Sequence, residues 1–130
     1  MNRDAREKLI FALDVGGDIG EAISWVERLH DQVRIFKVGK ESFTCYGPEI
    51  VSRIKEKGGQ VFLDLKFHDI PNTVAKAAEA AVKMGVMMFD VHALGGGRMM
   101  EETVVTVKKT AEQAGSPPSD SCRNRTDQLE

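Results

Sequence analysis

At 130 residues, 42% hydrophobic and 29% charged, the chain has the length and composition of one ordinary globular domain. A formal net charge of −2 gives no basic footprint for nucleic acid, and no apolar run approaches the roughly 20 residues of a membrane span, so neither is expected as a partner. The opening "MNRDAREKLIFALDV" holds only a brief apolar stretch that ends on Asp14, which argues against a signal peptide; Cys45 and Cys122 lack metal-ligand spacing, and a cytoplasmic setting without a bound metal is expected.

The first β-rich apolar run is "KLIFALDV", 8–15. "IGEAISWVERLHD", 19–31, places Ile19, Ala22, Ile23, Val26 and Leu29 at helical spacing. "VRIFKVG", 33–39, reads as a second strand. "PEIVSRIKEKG", 48–58, opens with Pro48 at a plausible first helical position and closes at Gly58. A third strand follows over 60–66, "QVFLDLK", then a helix over 71–85 bracketed by Pro71 and Gly85. "VMMFDVHA", 86–93, reads as the fourth strand, and 97–115 has a helical pattern ending at Gly115. Strand–helix alternation argues for a parallel sheet with crossover helices. The repeat of roughly 25–30 residues matches one unit of a (β/α)8 TIM barrel, which typically needs about 250 residues. The expectation is therefore an α/β fold, a partial barrel of about four βα units over residues 1–114. The tail 115–130, "GSPPSDSCRNRTDQLE", has no apolar period and is expected to be disordered.

The segment "DLKFHDIPNTV", 64–74, sets Asp64, Lys66, His68 and Asp69 directly after a buried-looking run. Charge there costs free energy unless it is paired or used. Residues i and i+2 of a strand share a face, which groups Asp64 with Lys66 and Asp90 with His92. Asp14 ends the first strand and Lys37 lies near the end of the second. In a parallel βα fold such strand ends gather at the carboxy-terminal rim, where active sites sit. A structural ion-pair network at that rim is the competing reading, and Asp90 and His92 taken singly read as structural. Gly95, Gly96 and Gly97 could form a phosphate-binding turn, a weak signal by itself.

These residues resemble the orotidine 5′-phosphate decarboxylase family. The matching pieces are "FALD" ending at Asp14, "FKVGKE" around Lys37, "DLKFHDIPNTV", and "VHALGG" followed by "RMM". The continuation "IPNTV" separates that family from phosphosugar enzymes sharing the Asp-x-Lys-x-x-Asp core. The resemblance implies conversion of orotidine 5′-phosphate to UMP and CO2 with no cofactor. It implies that Asp14 and Lys37 contact the ribose, that Lys37, Asp64, Lys66 and Asp69 form an alternating charged array, and that Lys66 protonates C6 of the pyrimidine. It further implies a homodimer in which Asp69, Ile70 and Thr73 reach the partner's site. The residue types suit the chemistry. An ammonium beside C6 stabilises a carbanion and then supplies a proton. A carboxylate at Asp64 facing the substrate carboxylate at ~4 Å would repel it by about 4 kcal/mol at an effective dielectric of ~20, worth roughly three decades in rate if relieved in the transition state.

The family's phosphate-gripping arginine, its glutamine-bearing loop and its hydroxyl residue after the fifth strand have no counterpart in these residues. A half barrel also leaves strand edges open. The chain alone is therefore expected to be marginally stable, oligomeric or aggregation-prone, with little or no turnover. Permitted codons for the tail, read one nucleotide on, allow an apolar β-branched run like the missing fifth strand, which suggests a frameshift near 114–116. Two other readings remain open: a Mg2+-dependent phosphosugar decarboxylase or aldolase-like relative, and a non-catalytic half barrel that assembles with a partner.

Overall fold

Apolar runs and amphipathic runs alternate along this chain, and the computed structural model turns them into parallel strands and helices. It describes residues 2–114 and the backbone of 125–127. Two units divide the chain, Met1–Asp64 and Leu65–Glu130.

The first unit holds α1 (Arg3–Lys8), β1 (Ile10–Ala12), α2 (Ile19–Leu29), β2 (Ile35–Gly39), α3 (Lys40–Tyr46), α4 (Glu49–Glu56) and most of β3 (Gln60–Phe67). β1 pairs parallel with β2, and β2 with β3, placing Phe36 opposite Val61 and Gly39 opposite Asp64. The core comes from strand residues Phe36, Val38, Val61 and Leu63 and from helix residues Ala22, Ile23, Val26, Ile50, Val51 and Ile54, all buried. Each of the larger side chains contributes about 1.5–3 kcal/mol by leaving water. Asp18 caps α2 by accepting the Glu21 N–H at 2.9 Å. Gly59, between α4 and β3, is needed for close approach: a Cβ there would sit 2.8 Å from Ile54 Cγ2 and 3.1 Å from Phe36 Cδ2.

Two helices of this unit have no apolar period and were not expected. α1 buries no residue and is held by polar contacts instead, with Lys8 Nζ 2.7 Å from Asp4 Oδ2 and Arg34 Nη1 2.8 Å from Glu7 Oε2. α3 spans seven residues and buries only Ser42. Pro48 is the N-cap of α4 rather than its first helical residue.

The second unit continues from the end of β3 into α5 (Pro71–Met84), β4 (Met88–His92), a 3₁₀ turn (Ala93–Gly95), α6 (Gly97–Gln113) and β5 (Arg125–Asp127). Pro71 opens α5 as the sequence predicts, and Gly85 closes it in the left-handed region at φ +77. Val74, Ala78 and Ala81 of α5 and Met99, Thr103 and Val107 of α6 are buried. Thr103 and Thr110 donate to the Met99 and Thr106 carbonyls, which satisfies their hydroxyls inside a helix. The expected tail lies mostly outside the described residues. The backbone of β5 runs parallel to β4, Asp90 opposite Arg125 and His92 opposite Asp127.

Candidate active site

In the first unit the ends of three parallel strands converge. Lys37 Nζ lies 3.7 Å from Asp14 Oδ2 and 3.7 Å from Asp64 Oδ2. The Lys37 side chain is 27% exposed, Asp64 11% and Asp14 55%, so one lysine bridges a largely covered carboxylate and a half-exposed one. Parallel register produces this: the Leu13 N–H donates to the Lys37 carbonyl at 3.0 Å, which brings Asp14 alongside β2, and Gly39 of β2 pairs with Asp64 of β3.

The loop that carries Asp14 is fastened from α3. Ser42 Oγ donates to the Leu13 carbonyl at 3.0 Å, and the Tyr46 hydroxyl donates to the Gly17 carbonyl at 2.7 Å. Ser42 and Tyr46 are four residues apart and so share a helix face. Loss of solvent around the Tyr46 hydroxyl, and then the nearby acidic groups, pushes its phenol above the ordinary value. The sequence reading missed both residues; their spacing was the available signal.

The second unit holds the other expected site residues. Lys66 has φ +49, the sole non-glycine residue with positive φ among the described residues. Its N–H donates to Asp90 Oδ1 at 2.8 Å. The i, i+2 rule that groups Asp64 with Lys66 presumes an extended Lys66. Its left-handed backbone turns the side chain about N–Cα by roughly 170° from the antiparallel-to-parallel β range, so alternation does not give its direction. A non-glycine residue held there costs about 1–3 kcal/mol. Asp69, Ile70 and Thr73 are exposed, with Ile70 at 65%. The Asp69 carboxylate accepts the Ile70 N–H at 2.7 Å, and the Thr73 N–H donates to the Ile70 carbonyl. His68 and His92 stack with ring centroids 4.8 Å apart, and His92 Nδ1 accepts the Leu94 N–H at 3.2 Å. Among the described residues no group of three or more His, Cys, Asp and Glu side chains could hold a metal ion.

Asp14, Lys37 and Asp64 are thus one cluster in the first unit. Lys66, Asp69, Ile70 and Thr73 belong to the second, on and just after the end of β3.

Comparison with known proteins gives the family of the chain. Residues 7–120 match the model of the orotidine 5′-phosphate decarboxylase / HUMPS family. Orotidine 5′-phosphate decarboxylase of Syntrophus aciditrophicus is 64% identical over 110 residues, 85% of this chain and 44% of that protein. The enzyme of the same name from Syntrophotalea carbinolica is 58% identical over 106 residues, 82% of this chain and 43% of its own length. The crystal structure of orotidine 5′-phosphate decarboxylase from Pyrococcus horikoshii superposes with a TM-score of 0.67 at 30% identity, covering 78% of this chain and 47% of the other. An uncharacterized conserved protein from Geobacillus kaustophilus gives 0.73 at 39% identity, covering 90% of this chain and 51% of the other. The chain spans less than half the length of the curated relatives it matches. It belongs to the orotidine 5′-phosphate decarboxylase / HUMPS family.

Proposed function

We propose that this chain carries the amino-terminal half of an active site that decarboxylates orotidine 5′-phosphate to UMP and CO2, without a metal or organic cofactor, in the cytoplasm. The observation that carries the reading is Lys37 placed 3.7 Å from both Asp14 and Asp64. In this reading Asp14 and Lys37 bind the ribose hydroxyls. Asp64 presses on the substrate carboxylate, and Lys37 keeps Asp64 ionised while it does so. Lys66 stabilises the carbanion at C6 as CO2 leaves and then delivers its proton there. Asp69, Ile70 and Thr73 serve the partner's site in a homodimer; their exposure, and the 65% exposure of an isoleucine, supports that role.

The test joins residues 1–114 to the carboxy-terminal half of the Syntrophus aciditrophicus relative and assays CO2 release from orotidine 5′-phosphate without added metal. Turnover is expected, and Lys66→Ala should lower it by roughly 10²–10⁴-fold. A folded chimaera that is inactive, or equally active with Lys66→Ala, refutes the reading. Turnover that requires Mg2+ and a phosphosugar substrate would assign the site to the related enzymes instead.

A further inference from the structure

Asp90 is a carboxyl group where the fold calls for an apolar one. It lies in β4 between Phe89 and Val91, both buried, and is itself 2% exposed. A buried carboxyl is costly unless its oxygens are hydrogen-bonded. One of them accepts the Lys66 N–H at 2.8 Å, across 24 residues of sequence. Lys66 is also the residue with φ +49, a conformation that L residues adopt only when their surroundings impose it. The buried acid and the strained backbone are therefore joined by one hydrogen bond. A bond from a main-chain N–H to a carboxylate is stronger than one to a neutral acceptor.

We propose that Asp90 is a positioning residue for Lys66: its buried carboxyl holds the Lys66 backbone left-handed and so sets the direction in which the lysine side chain leaves β3. The inference rests on the reading of Lys66 as the proton donor, since only then does that direction bear on the chemistry. Asp90 does not touch substrate in this account. A threonine or valine would fill β4 without the desolvation cost, and neither offers a carboxylate to that N–H.

The test needs no substrate. The full chain, labelled with 15N, is compared with Asp90→Asn, which keeps a carbonyl acceptor of the same shape, and with Asp90→Val, which removes it. Two quantities are read at Lys66: the coupling between its amide and α protons, which reports φ, and its amide exchange rate. Wild type and Asp90→Asn should share the coupling of a left-handed residue and a protected amide. In Asp90→Val the coupling should move to that of an extended strand, and Lys66 exchange should rise about tenfold more than that of Phe89 and Val91. An unchanged Lys66 coupling in Asp90→Val, or an extended Lys66 in wild type, overturns the proposal. If Asp90→Val does not fold, Lys66→Gly is added, because glycine takes positive φ without restraint. Recovery of folding in the double variant supports the proposal, and continued failure overturns it. Loss of decarboxylation in the chimaera would refute the catalytic reading while leaving these backbone measurements intact, so the two can fail separately.

Discussion

Replacing Lys37 by methionine keeps most of the aliphatic stem and removes the charge between two carboxylates. At 3.7 Å each lysine–aspartate pair attracts by roughly 4–5 kcal/mol at an effective dielectric of ~20, before desolvation and side-chain entropy. Asp14 is 55% exposed, so its share falls to the surface value of about 0.5 kcal/mol. Asp64 is 11% exposed against a lysine at 27%, and about 1–2 kcal/mol survives for that pair. The two carboxylate oxygens also lie at most 3.7 Å plus 3.7 Å apart through the shared Nζ, and they repel once it is gone. The total is a loss of about 2 kcal/mol, roughly 30-fold in the folding equilibrium. Urea unfolding of the chain measures it, as a lower midpoint at unchanged slope. Asp64→Asn introduced beside Lys37→Met should then recover part of the loss, since it relieves the repulsion. Wild-type stability in Lys37→Met, or strict additivity in the double variant, would show that the cluster is only a chance approach of solvated charges.

Ser42→Ala should cost about 1 kcal/mol, because it removes the hydroxyl that the Leu13 carbonyl accepts from; amide exchange across 14–17 should rise locally, and an unchanged loop would refute the fastening. Gly59→Ala should cost about 1–3 kcal/mol by pressing a methyl on Ile54 and Phe36, read by thermal unfolding; a neutral result would mean that α4 shifts freely against β3. The Lys57 hydrogen bond and then its charge hold the Glu27 carboxyl below its usual value of 4.5. A depressed folded-state value gives stability that is present above the ordinary carboxylate range and lost as pH falls through the folded-state midpoint. Lys57→Met should raise the Glu27 midpoint in a 13C titration, and an unmoved midpoint would refute the assigned cause.

The readable elements are those with one buried stripe or with strong end signals. α2 was legible from Ile19, Ala22, Ile23 and Val26, and α5 from Pro71 and Gly85. α1 and α3 were not, because α1 buries nothing and α3 buries one residue in two turns, too little to make a period. Within the site, Asp14, Lys37 and Asp64 could be grouped because the strand order and parallel register alone bring their positions together. The backbone of Lys66 could not. "DLKF" contains no glycine, and alternation assumes extension at every residue, so nothing local announces φ +49. Asp90 reads as structural from the sequence, and its bond to the Lys66 main-chain N–H leaves no mark in a side-chain pattern.

The same strands supply the core and the charges, and the boundary between the two tasks falls within single residues of β2 and β3. Phe36 and Val38 are fully buried on either side of Lys37; Leu63 is fully buried immediately before Asp64. Gly39 marks where the core gives way. Its φ of −93 and ψ of −173 are open to any residue, so conformation does not require glycine. It is the N-cap of α3, where serine or aspartate would ordinarily supply a side-chain bond worth up to about 1 kcal/mol. A Cβ at this position would lie 3.6 Å from Asp14 Oδ1, and the residue pairs directly with Asp64. An aspartate cap would therefore put a third carboxylate against the two that Lys37 already serves. Glycine gives up a few tenths of a kcal/mol of helix capping and keeps side-chain atoms away from the Asp14 and Asp64 carboxylates that Lys37 serves.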